Sequence, residues 1–96
     1  MAILERHDVG AVAQLTLSSP ENLNALSDAM LAALKDTFAG LAEDTSIRAV
    51  IRAGAGKVFC AGHDLKEMTQ GRQAEDGGKA YFADLFRRCA AVMTAI

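Results

Sequence analysis

The stretch Val58-Phe59-Cys60-Ala61-Gly62-His63-Asp64-Leu65-Lys66-Glu67-Met68 decides how the rest of the chain is read. It runs from a short β-prone segment, Val58 to Cys60, through the small residues Ala61 and Gly62 to Asp64, which can cap a helix over Leu65 to Met68. Small residues let a backbone come close to a ligand, and here they stand directly before a helix start, where free N–H groups converge. Such a place suits a developing oxyanion. Taken alone, the pattern describes a plain tight turn better than a ligand site, so its meaning depends on the surrounding sequence.

Just upstream, Gly54-Ala55-Gly56-Lys57 invites a phosphate-loop reading. The spacing denies it: a Walker motif needs glycine where Ile51 stands and Ser or Thr at Val58, and a dinucleotide fingerprint from Gly54 needs glycine at Phe59. A glycine turn between two strands is the remaining reading. Before it, Ile47-Arg48-Ala49-Val50-Ile51 reads as a buried strand, and Val58-Phe59-Cys60 as a very short second one. Further upstream, Ile3–His7 and Val12–Leu17 predict a hairpin whose turn uses Asp8-Val9-Gly10. After the loop Ser18 to Asn22, Asn24 or Ser27 can cap a helix starting near Asp28. Its apolar stripe falls at residues 26, 30, 34, 38 and 41. The order is thus β-β-α-β-β, an α/β chain.

Downstream, the polar stretch Thr69–Gly77 reads as a mobile surface loop, and a second long helix begins near Gly78 with apolar residues at 82, 85, 86, 89, 92, 93 and 96. Arg87 and Arg88 are read as a solvated face. The chain reaches Ile96 on the apolar side with no Gly, Pro or polar cap, which predicts that residues 1–96 are the N-terminal portion of a longer domain.

Composition narrows the function classes. Ten basic and 12 acidic residues, a net charge of −2, are spread along the chain and create no positive field for nucleic acid. An apolar fraction of 51% and a mean hydropathy of +0.14 are high for a chain that buries only roughly 60–68% of its unfolded surface, so apolar surface should remain open. No apolar run reaches the ~20 residues of a membrane helix. Cys60 and Cys89 lack C-x-x-C spacing and no signal segment precedes the first strand, which predicts a reduced, cytoplasmic setting. His7 and His63 are too far apart to argue a metal pair, and capping explains Asp64 and Glu67 better than paired acid/base chemistry does.

In order and spacing, Asn24-Ala25-Leu26-Ser27, the helix after it, Ile47 to Ile51 and Gly54 to Met68 resemble the N-terminal part of the crotonase superfamily, the enoyl-CoA hydratases and isomerases. The likeness covers almost the whole chain. It implies a spiral of β-β-α turns, of which this chain supplies the first two, and trimers or hexamers acting on acyl-CoA thioesters. Coenzyme A is then part of the substrate, and no separate cofactor is implied. By the resemblance, the backbone N–H of His63 is one of two oxyanion-hole donors for the thioester carbonyl. Ala61, Asp64, Leu65 and Lys66 line the wall along which CoA lies, and Leu23 with Asn24 borders its pantetheine and phosphate side.

Two departures stand out. The family often has Ala or Gly at His63, whose imidazole is read as a packing or solvent-side group rather than a chemical one. The family also often places a basic residue in the loop before Asn24, where this chain has Glu21-Asn22. The resemblance puts the second oxyanion donor and the catalytic glutamates on later turns of the spiral, beyond residues 1–96. The expected function is binding of acyl-CoA thioesters, with hydration of 2-enoyl-CoA in the full-length form. The alternative is a non-catalytic acyl-CoA-binding or assembly module of the same fold.

Overall fold

A computed structural model describes residues 3–96. Strands β1 (Leu4–Val9) and β2 (Val12–Leu17) pair antiparallel from Leu4↔Leu17 to Val9↔Val12. The turn is therefore the two residues Gly10 and Ala11, not Asp8 to Gly10. Gly10 takes φ 59, which a residue without Cβ adopts freely. Asp8 stays in the strand, where its carboxylate meets the Arg6 guanidinium at 2.9 Å on the same face, two residues back.

Along β2, Ala13, Leu15 and Leu17 are buried, while Gln14 between them is exposed. This alternation turns one face of the sheet toward helix α1 (Asp28–Glu43). Of the two candidate caps, Ser27 takes the role, its Oγ accepting the Met30 N–H at 3.1 Å. Met30, Leu31, Leu34 and Phe38 form the buried stripe, with Leu26 and Leu41 packed at its ends. Helix α1 returns the chain to the same end of the sheet. Strand β3 (Ala49–Gly54) can then pair parallel with β2, from Val12↔Ala49 to Leu17↔Gly54, which requires a crossover of this kind.

β3 departs from expectation in two ways. It starts two residues later and runs to Gly54, and it is exposed over its first four residues, because the sheet order β1-β2-β3 leaves it at an edge. An apolar run predicts burial only where a neighbour covers it. The short strand expected at 58–60 does not form: no ladder reaches it, and the Val58 carbonyl is held by a side chain instead. The order is β-β-α-β-α-α.

Helix α2 (Leu65–Gly71) is longer than expected and takes the first part of the presumed loop. Helix α3 (Lys79–Thr94) begins where predicted and lays Leu85 and Val92 against α1 and β2. Its first turn is held by Asp76, whose carboxylate accepts the N–H groups of Gly78 and Ala80, each at 2.9 Å. The radius of gyration, 14.6 Å, exceeds the roughly 12.5 Å of a compact domain of this length. Val50, Ile51, Leu65, Phe86, Met93 and Ile96 remain exposed, in keeping with the excess of apolar residues. No helix among the described residues is long and apolar enough to cross a membrane.

Candidate functional site

The site is built where the loop after β2 meets the segment before α2. A single 3-10 turn, Pro20–Asn22, ends with Leu23 at φ 59 and Asn24 at φ 54, two successive side-chain-bearing residues in the left-handed region. This reversal presents Leu23 and Leu26 to residues 61–64. The Ala61 N–H donates to the Leu23 carbonyl at 3.0 Å, the Leu26 N–H to Gly62 at 2.7 Å, and the Asp64 N–H to Leu26 at 3.4 Å. Leu26 and His63 form an isolated parallel bridge. Gly62 adopts φ 94 to reach this register, a conformation open to glycine.

The bridge orients one donor. A trans peptide directs its C=O and N–H to opposite sides, and the carbonyl of the Gly62-His63 peptide is bonded to Leu26. The His63 N–H therefore points away from Leu26, and no backbone carbonyl among the described residues accepts it. The N–H groups that open α2 are not free in this way. Asp64 caps the helix, one carboxylate oxygen accepting from Lys66 at 2.9 Å and Glu67 at 3.2 Å.

Glu67 is also a cap, but for another helix: its carboxylate accepts the Asp28 N–H, at the start of α1, at 2.7 Å. Beside it, Arg88 pairs with Asp28 at 3.0 Å and Asp84 at 2.8 Å, so this residue, read as solvated, instead ties α3 to α1. Partial burial, reinforced by the charges of Asp28 and Glu67, pushes the Tyr81 phenol above its usual range. These contacts fix α2 and α3 around the loop that carries His63.

One groove of about 560 Å³ is lined by Leu23, Ala61, His63, Asp64, Leu65 and Lys66. Glu21, Asn22, Ala25 and Met68 complete it. Ala25 and Met68 were not foreseen, although Met68 follows Leu65 by one helical turn and so shares its face. Asn24 is the exception among the residues named from sequence. It is 0% exposed, its side chain turned to Ser19, Ala55 and Val58, so it stands behind the wall rather than on it. The His63 imidazole packs edge-on against Phe86, with ring centres 6.0 Å apart and planes at 72°.

A hairpin extended by a parallel crossover, followed by a small-residue loop before a capped helix, is the opening of a crotonase-like α/β fold. The sequence profile of the enoyl-CoA hydratase/isomerase family matches residues 7–95, and the chain belongs to that family. Enoyl-CoA hydratase domain-containing protein 3, mitochondrial, of Homo sapiens is 38% identical over 85 residues, 88% of this chain and 26% of that protein. The 1,2-epoxyphenylacetyl-CoA isomerase of Escherichia coli K12 is 39% identical over 67 residues, 70% of this chain and 26% of its own length. The crystal structure of an enoyl-CoA hydratase from Mycobacterium smegmatis superposes with a TM-score of 0.88 at 52% identity, over 98% of this chain and 35% of that one. The chain thus spans about a quarter of the length of these two relatives and about a third of the solved structure.

Proposed function

We propose that this chain forms the first half of an acyl-CoA thioester site, with the His63 N–H as one oxyanion donor, and that in full-length form it serves hydration of 2-enoyl-CoA. The observation that carries this reading is the orientation of the Gly62-His63 peptide. Its carbonyl is tied to Leu26 and its N–H finds no backbone acceptor among the described residues, beside a groove of about 560 Å³, a volume suited to part of a large ligand. In hydration, water adds its hydroxyl to C3 of the enoyl group and a proton to C2, through a thioester enolate. A preorganised N–H at the thioester oxygen stabilises that charge as it develops.

Leu23, Leu65 and Met68 give the groove apolar walls for a pantetheine or acyl chain, and Lys66 gives it a cation for phosphate. Asn24 supports that wall from behind. Asp64 and Glu67 are engaged as helix caps, so the carboxylates that move protons, and the second donor, come from the part of the relatives' length that this chain does not span. Coenzyme A is part of the substrate in this reading, and no cofactor is invoked. Trimeric or hexameric assembly and a cytoplasmic setting belong to this reading as well.

The test uses crotonyl-CoA labelled with ¹³C at the thioester carbonyl. On binding, the carbonyl stretch should move to lower wavenumber than in free thioester, while unacylated CoA binds the same groove. Binding with an unshifted carbonyl band would refute the oxyanion role of His63, and absence of any CoA binding would refute the site.

A further inference from the structure

We propose that Asn24 is a positioning residue for the His63 N–H, acting through the backbone and never touching the ligand; its bearing on a thioester rests on the function proposed above. The side chain has no exposure and uses both its donors: Nδ2 donates to the Ala55 carbonyl at 2.9 Å and to the Val58 carbonyl at 2.8 Å. Its Oδ1 accepts the Ser19 N–H at 2.7 Å, and its own N–H donates to the Ser19 carbonyl at 2.9 Å. One residue thereby closes the turn that carries Leu23 and grips a second loop, 31 and 34 residues away in sequence.

That second loop is the one that delivers His63. Ala55 is anchored to β2 by its N–H, bonded to Leu17 at 2.8 Å, and Val58 lies five residues before His63. On the other side, Asn24 sits between Leu23 and Leu26, the residues that bond Ala61, Gly62 and Asp64. Asn24 thus fixes both members of the bridge that orients the Gly62-His63 peptide. Its left-handed φ of 54 suits asparagine, which adopts that region more readily than most residues. Aspartate would match the shape and accept from Ser19, but it has no N–H to offer two carbonyls and would set a charge against them.

Asn24→Gly keeps the left-handed backbone and deletes the three side-chain hydrogen bonds, so it isolates the latch from the turn. Amide hydrogen exchange reads the first consequence. The Ala61 and Leu26 amides should exchange at least tenfold faster in N24G, while the Leu34 amide in the middle of α1 stays within twofold of the original chain. The second consequence is read on ¹³C-crotonyl-CoA at saturation: the carbonyl shift of the bound ligand should be lost in N24G.

Unchanged exchange at Ala61 and Leu26 would overturn the latch. Faster exchange with the carbonyl shift intact would overturn its role in placing the donor. Should the original chain itself show no carbonyl shift, the proposed function fails and takes the thioester part of this inference with it, while the exchange result still judges the latch. If N24G does not fold, the original chain decides: its Ala61 amide should be protected to the level of Leu15 in β2, and exchange at the rate of an open loop would overturn the proposal.

Discussion

Replacing Gly54 by alanine, set against the same change at Gly40, separates close packing from intrinsic helix preference within one chain. A Cβ on Gly54 would sit 2.6 Å from the Phe59 carbonyl oxygen and 2.7 Å from the Phe59 Cα. Ordinary contact begins near 3.4 Å, so the two backbones must part by about 0.8 Å. Neither obstacle is a flexible side chain: Gly54 is held in the ladder opposite Leu17, and the following loop is held through Ala55 and Val58. Overpacking of this kind costs about 1–3 kcal/mol, and rigid neighbours put G54A toward the upper end. At Gly40, inside α1, an added Cβ meets nothing within 4 Å, and alanine there should stabilise by roughly 0.5–1 kcal/mol. The pair should therefore differ by about 3 kcal/mol, which corresponds to at least about 12 °C in Tm for a chain of this size. Thermal and urea unfolding followed by circular dichroism would measure it. Equal midpoints for G54A and G40A would refute the argument that the Phe59 backbone is pinned over β3.

Other outcomes follow from single contacts. The Asp76 carboxyl is held below its ordinary 3.8 by the N–H groups of Ala80 and then Gly78. Its contribution is present above that value and lost as pH falls through the lowered one, so D76A should destabilise the start of α3 at pH 7 by an amount that shrinks as pH falls below 3.8; a difference that stays constant in acid would refute this. Asp64→Ala orphans the N–H groups of Lys66 and Glu67 and should cost about 0.5–2 kcal/mol, read by urea unfolding. Glu21→Lys reverses an exposed charge at the groove and should tighten CoA binding by roughly 2–5-fold in calorimetry at low salt, the gain fading as salt rises.

Periodicity and local chemistry made much of the fold legible. The stripe of α1, its start beside Ser27, the two hairpin strands and the onset of α3 follow from residues within one or two turns of each other. What escaped depends on partners distant in sequence. Asparagine before a helix suggests a cap, and nothing local says that Asn24 will spend its amide on Ala55 and Val58. Glu67 caps a helix 39 residues upstream, and Arg88 pairs with Asp28 from another helix. For the site, six of the seven residues named from the resemblance line one groove, because the small-residue loop and the start of α2 are contiguous in sequence. Ala25 could not be singled out, since its place on the wall comes from the reversal at Leu23 and Asn24 rather than from any chemistry of its own.

The two margins of the sheet are unlike, and this gives it a direction. On β1 the outermost backbone is flanked by Glu5, Arg6, His7 and Asp8, charged or polar side chains that discourage a further strand. On β3 the flanking residues include Val50 and Ile51, 42% and 53% exposed, beside an unpaired line of N–H and C=O groups. Any lengthening of this sheet, by continuation of the spiral or by unwanted stacking in a concentrated sample, therefore proceeds from β3. A lysine at Ile51 is the change that would blunt that growing margin and leave the other untouched.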